Sequence, residues 1–438
     1  MEKKILGLCA SLVLVGPTLA GPPDLVFDEE IIDPVAAGDC KAVGDIDGDG
    51  RLDLLLGGRP GEDLAWYAWP HWQRTVIARA VEEFTTDMAV GDIDGDGDPD
   101  VVVGDGGTGT NLHWYRNPRP AGNPADGGAW QRLAIGSATD YVKDVELADF
   151  NLDGRLDVAV RTHGVVWIFF NNGGSWSRVQ IRNGLTGEGM GSGDIDGDGD
   201  TDLLLPGMWL ENPEPAADAA TSAWAVRTID GSLYQEVKAL VADIDGDGAA
   251  EVVFSPSEGS GAVRWYKPTS GNPRGLWTGR TVIQNLPGCH TLQAGDIDHD
   301  GDIDLVVAQM HTHGGQIFVV LNNGGGMSWT QVPIGSGGIH NGVLADIDAD
   351  GDLDLYGANW TTNPPVRLWR NAGQPCPEDF NNDGAVNSSD ISVFLTTWII
   401  DASSGGTATD WNRDGEINSS DISMYLGAWI SAVDDGCQ

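Results

Sequence analysis

Apolar positions in this chain come in short runs cut by turns rich in Gly and Asp, a spacing that predicts strands rather than helices. Ala42-Val43 and Leu54-Leu55-Leu56 flank one such turn, Val101-Val102-Val103 follows the next, and Val343-Leu344 precedes the last. An aromatic run comes third in each unit: Trp66-Tyr67, Trp114-Tyr115, Val166-Trp167-Ile168, Trp209-Leu210, Trp265-Tyr266, Ile317-Phe318 and Leu368-Trp369. A fourth leads from Trp to Ile, at Trp72 to Ile77, Trp130 to Ile135, Trp176 to Ile181, Trp224 to Ile229, Trp277 to Ile283 and Trp329 to Ile334. Four strands in each repeat of about 50 residues make a propeller blade, so the pattern predicts an all-β, seven-bladed β-propeller over 21–373. The seventh unit has no fourth run of its own. Phe27 to Ile32, ahead of the first turn, has the same aromatic-to-Ile spacing and is expected to complete the last blade, leaving no free sheet edge.

The turn between the first two strands is the repeated feature. Carboxylates stand at its first, third and fifth places, Gly at the sixth and another acid at the ninth. The residues are Asp45, Asp47, Asp49 and Asp53, then Asp92, Asp94, Asp96 and Asp100, then Asp149, Asn151, Asp153 and Asp157. Asp194, Asp196, Asp198 and Asp202 follow, then Asp243, Asp245, Asp247 and Glu251, Asp296, Asp298, Asp300 and Asp304, and last Asp346, Asp348, Asp350 and Asp354. Calcium takes six to eight oxygens and suits such a turn better than magnesium, which needs fewer protein ligands in tighter geometry. Up to seven structural calcium ions are expected, each pinning two strands and neutralising acid that otherwise repels itself.

A different pattern begins near Cys376. Asp379, Asn381, Asp383, Asn387 and Asp390 recur 31 residues later as Asp410, Asn412, Asp414, Asn418 and Asp421, in the register of an EF-hand loop with Asp at its last ligand position. Each loop opens a helix with apolar residues on one face, Ile391, Phe394, Leu395 and Trp398 in one and Ile422, Tyr425, Leu426 and Trp429 in the other. Two further calcium ions and a small α-helical module over 374–438 are expected, with calcium needed for so thin a core to fold.

Charge narrows the partners. With 24 Lys and Arg against 66 Asp and Glu, a net charge of −42 disfavours nucleic acid and anionic membranes. Lys3 and Lys4, an apolar run from Ile5 to Val15 and Thr18-Leu19-Ala20 predict a signal peptide over 1–20, and hence a secreted or surface-associated protein. The apolar run is shorter than the roughly 20 residues of a spanning helix. Cys9 leaves with the signal, and Cys376 and Cys437, bracketing the C-terminal module, are expected to pair as a disulfide, with free thiols the alternative. Cys40 and Cys289 have no assignment from sequence.

The repeats resemble the FG-GAP or VCBS type of integrin-like propellers. The resemblance implies calcium in the turns, in a family that spans adhesion modules, lectins and, among similar propellers, some polysaccharide lyases. The C-terminal module resembles a type I dockerin, which implies attachment to a cohesin-like scaffold or surface protein. In that family the pair before the last loop ligand commonly carries recognition, here Ser388-Ser389 and Ser419-Ser420, although these serines equally suit helix capping.

A ligand or active site is expected on the face opposite the calcium turns. His163, His290, His311, His313 and His340 fall there, four of them in two neighbouring blades, with Tyr141, Tyr234 and Trp360 placed to stack on a sugar. Such histidines can be satisfied loop residues, ligand contacts, or a general base. The reading from sequence is a carbohydrate- or protein-binding module. The alternative is an extracellular polysaccharide lyase whose base comes from His290, His311, His313 or His340, assisted by Tyr141 or Arg161; no acid pair of recognisable spacing supports it.

Overall fold

A computed structural model describes residues 25–58, 63–79, 84–105, 109–360 and 363–372, and toward the C-terminus 380, 386–404, 409, 411 and 417–435. The expected signal peptide and the Cys376–Cys437 pair lie outside these residues. Among the described residues, 28 strands form seven four-stranded antiparallel sheets. Blades 1 to 6 cover 40–78, 84–137, 142–183, 191–228, 237–283 and 289–336. Blade 7 covers 343–371 and takes its outer strand from Phe27–Asp33, which pairs antiparallel with Val366–Asn371. The expected closure is therefore observed, and the fold is a seven-bladed β-propeller.

The apolar cores lie between blades rather than within them. Leu55, Trp66 and Ile77 of blade 1 pack on Met88, Val101 and Tyr115 of blade 2, and Leu54, Tyr67 and Trp72 pack on Tyr356, Val366 and Leu368 of blade 7. Trp66, Trp209, Trp265 and Trp369 of the third strands are fully buried. Burying each such ring removes about 150–250 Å² from water, so shared aromatic surface holds neighbouring blades together.

Polar staples join the blades as well. Asn117 Nδ2 donates to Ile46 O, and Asn171, Asn212, Asn322 and Asn371 make the same bond to Ile93, Phe150, Ile244 and Ile297, each in the acidic turn of the preceding blade. The first strands touch in sequence around the axis, that of blade 7 (Val343–Ala345) reaching that of blade 1 (Cys40–Gly44). They line a channel holding a cavity of about 410 Å³.

Cys40 and Cys289, in the first strands of blades 1 and 6, are buried free thiols. Burial raises both, Cys289 to about 12, so neither is a reactive thiolate. The C-terminal module shows two helices, α1 (Ser388–Ser404) and α2 (Ser419–Asp435). No helix among the described residues is long and apolar enough to cross a membrane.

Candidate functional site

The acidic turns are built alike. The carboxylate at the first place accepts from the backbone N–H of the sixth: Gly50 donates to Asp45 at 3.1 Å, Gly97 to Asp92 at 3.0 Å and Gly199 to Asp194 at 3.0 Å. The fourth and sixth places are left-handed; Gly fills most of them, but Leu152, His299 and Ala349 hold the fourth at φ of 53°, 58° and 56°. Ligand atoms of Asp45, Asp47 and Asp53 lie within 4.8 Å of one another, as do those of Asp194, Asp196 and Asp202 and of Asp243, Asp245 and Glu251. Asp196 Oδ1, Asp245 Oδ1, Asp298 Oδ1 and Asp348 Oδ1 are buried with no hydrogen-bond partner. Buried oxygens without donors, converging with other carboxylates, fit a hard cation such as calcium.

The acid at the ninth place also holds the backbone. Asp100 Oδ2 accepts from Ile93 N–H and its Oδ1 from Asn117 N–H, and Asp157, Asp202, Asp304 and Asp354 repeat the pair of bonds. Burial pushes Asp53, Asp100, Asp157, Asp304 and Asp354 up to about 7, against the pull of those donors. Glu251 also reaches about 7 and Asp202 about 8. The turn is thus tied to the third strand through the same carboxylate that stands at its ninth place.

On the opposite face the channel mouth is ringed by charge. His290 lies within the first strand of blade 6 and His340 just ahead of that of blade 7; their rings stack with centroids 3.8 Å apart and planes at 22°. Both are buried, at 3% and 4% exposure, rather than displayed on the rim. His311 and His313 form a single 3-10 turn. His311 and His340 each lie 6.2 Å from the Trp360 ring, while His313 bonds Thr312. His163 stacks on Tyr141 at 6.3 Å in blade 3. Arg161 is fully buried and donates to Gly189 O and Thr186 O, so it serves the backbone rather than an open site.

The hub of the mouth is Glu188, a residue the sequence reading passed over. It accepts from Ser257 at 2.7 Å and Lys143 at 2.9 Å, and faces His290 Nε2 at 3.1 Å. Burial acts to raise its carboxyl, but His290 and Lys143 outweigh that and hold it well below the usual range. Burial likewise acts to lower His290, and Glu188 with Glu258 reverses this, raising it to about 9. His340, buried beside that cation, is held well below the ordinary imidazole value.

A sequence signal for this hub exists once the repeats are aligned on their turns. Asp39, Lys143, Glu188, His290 and His340 each stand six residues ahead of a turn's first Asp. In blade 5 that place holds the apolar Val237, and Glu188 of blade 4 bonds onward to Ser257 and His290.

In the C-terminal module, Phe394 and Tyr425 stack at 3.9 Å and 4°, and Trp398 and Trp429 donate reciprocally to Asn418 O and Asn387 O at 3.1 Å. This is the internal duplication read as packing. Asn387 and Asn418 cap the helices by accepting from Ser389 N–H and Ser420 N–H, while Asp390 and Asp421 are fully buried. Capping therefore falls to asparagine, and Ser388, Ser389, Ser419 and Ser420 are exposed. Leu395, on the apolar face read from sequence, is 36% exposed, in company with Val393, Ile399, Ile400, Met424 and Ile430. The loop ligands Asp379, Asn381, Asp383, Asp410, Asn412 and Asp414 lie outside the described residues.

Among solved structures, one described as an Agrocybe aegerita lectin recognising non-reducing terminal N-acetylglucosamine is similar at 16% identity and a TM-score of 0.47, over 69% of this chain and 81% of that one. BBS1N in complex with ARL6DN is similar at 14% identity and a TM-score of 0.48, over 79% and 96%. Likeness of this degree says nothing about a ligand. No curated protein matches. The FG-GAP-like repeat family matches at 45–103, 92–160, 149–205, 243–307 and 300–357, and the dockerin type I domain matches at 377–426. With its repeats matched over more than half of its length, the chain belongs to the FG-GAP-like repeat family, and it carries a type I dockerin domain after the repeats.

Proposed function

We propose that this is an exported carbohydrate-binding module, tethered through its dockerin to a cohesin on a scaffold or surface protein, with its ligand on the channel mouth. Calcium in the seven propeller turns and the two dockerin loops is structural in this reading. The duplicated module, with its exposed serine pairs and apolar residues beside them, suits docking to one protein partner. Family membership supplies the class of that partner, since dockerin domains bind cohesins.

One observation carries the reading of the propeller. The groups best suited to chemistry, His290 and His340, are nearly sealed, whereas rings around them are open: Tyr234 is 50% exposed, and His163 is exposed beside Tyr141. Sugars bind through stacking on such rings and hydrogen bonds to fixed polar groups, and neither requires a reagent on the channel axis. A second reading, a polysaccharide lyase, has one observation in its favour. His290 and His340 are pushed apart in basicity, as an acid and base pair would be. Incubating the calcium-loaded protein with a panel of acidic and neutral polysaccharides separates the two. Retention that Tyr141→Ala and Tyr234→Ala weaken, without ultraviolet-absorbing unsaturated products, supports binding. Product formation abolished by His340→Ala would replace it with the lyase.

A further inference from the structure

The calcium turns offer only oxygen, but the channel mouth gathers nitrogen. Ligand atoms of His290, His340 and Glu258 lie within 4.8 Å of one another, outside every acidic turn. Three features make this more than a chance meeting of side chains. His340 Nδ1 is buried with no hydrogen-bond partner, the Asp39 carboxylate standing 3.6 Å away, beyond hydrogen-bond reach. His290 Nδ1 faces Asn341 Oδ1 at 3.0 Å, an outer partner that orients the ring and directs Nε2 toward Glu188 and Glu258. Glu258 Oε1 stands 3.6 Å from that Nε2 on a side chain 41% exposed, so the third group approaches from solvent and leaves an entry path.

We propose that His290, His340 and Glu258 bind one transition-metal dication of the zinc class, at a site separate from the calcium turns, the ion replacing the proton on His290 Nε2, which is released to solvent. Two imidazoles with one carboxylate match the preferences of Zn²⁺ and Co²⁺, while calcium and magnesium prefer all-oxygen sets. Three protein ligands leave a coordination position open toward solvent. Glu188, 3.1 Å from the same His290 nitrogen, stays beside the ion as a further carboxylate tied to Ser257 and Lys143. The site draws one ligand from each of three blades, 5, 6 and 7, so metal would tie the ring across its mouth.

The test is a Co²⁺ titration of the full-length protein in a large excess of calcium, which keeps the acidic turns occupied, followed by visible ligand-field absorption. One Co²⁺ per chain is expected, displaced by Zn²⁺ and not by further calcium. Glu258→Gln, a half-exposed position that the fold tolerates, weakens uptake roughly 10-fold or more, and His340→Ala weakens it roughly 100-fold. Leu276→Ala, at an exposed position of blade 5 away from the mouth, leaves uptake unchanged. If His340→Ala fails to fold, Glu258→Gln decides the matter. Absence of uptake in excess calcium, or uptake indifferent to Glu258→Gln, overturns the assignment.

Discussion

Replacing Glu188 by Gln keeps the shape of the side chain and removes the charge at the centre of the mouth. Glu188 and Lys143 are 8% and 18% exposed in their side chains, so solvent screens little of their attraction. The substitution takes the buried carboxylate away from two cations, Lys143 at 2.9 Å and His290 at 3.1 Å, while the bond from Ser257 at 2.7 Å can pass to the amide oxygen. Breaking a buried pair by removing one partner costs about 3–5 kcal/mol, and the retained oxygen places Glu188→Gln near the lower end, at about 3 kcal/mol. For a propeller of this size, with an unfolding entropy of about 2.1 cal/mol/K per residue, that lowers the melting temperature by about 4 °C. Urea unfolding in excess calcium measures the loss. Lys143→Met in the Glu188→Gln background should then cost at least 1 kcal/mol less than Lys143→Met alone, because the ammonium that lost its carboxylate is gone. A Glu188→Gln variant as stable as wild type, or additive with Lys143→Met, would refute the account of Glu188 as the hub.

Other expectations follow from neighbouring residues. Burial and Asp87 raise Glu146 to about 8 in the channel, against the bond from Ser192; a carboxyl raised on folding destabilises as pH climbs from about 4.5 through 8. Glu146→Gln is therefore expected to match wild type in urea at pH 5 and exceed it at pH 8; equal stability at both would remove Glu146 from the pH dependence. Asn322→Ala, which strips the staple from Ile244 O and the acceptor for Gly326 N–H, should cost about 1–3 kcal/mol by the same assay. Chelating calcium should lower the propeller's melting temperature and unfold α1 and α2, read by calorimetry and circular dichroism; melting indifferent to chelation would contradict structural calcium. Conversely, Lys267→Met, removing the ammonium that pairs with Asp245 and Asp247, should tighten calcium at the fifth turn, seen as a calorimetric gain in affinity.

The propeller was legible because its signals are local and repeated. Asp45 to Asp53 and its six copies fix where two strands meet, and the aromatic-to-Ile spacing of Phe27 to Ile32 was enough to predict the strand that closes blade 7. The histidine cluster was legible in part: topology put His290 and His340 together, but their burial was not readable, because it depends on blades that meet only around the ring. Glu188 was missed for the same reason, since its partners Lys143, Ser257 and His290 belong to three other blades. The asparagine staples escaped too, each bond running from Asn to the preceding blade's turn across some 60 to 80 residues of chain. In the dockerin, serine and asparagine are both good N-caps by propensity, and only geometry separates Asn387 from Ser388.

The central claim, a binding face carried by a docking module, meets its most direct test in a two-step capture. A type I cohesin is immobilised, the full-length protein is added in calcium, and polysaccharides are then passed over the captured chain. The account predicts calcium-dependent capture, then a second signal for at least one polysaccharide that Tyr141→Ala and Tyr234→Ala reduce while capture stays intact. Capture followed by no polysaccharide signal, or by release of unsaturated product, would contradict it.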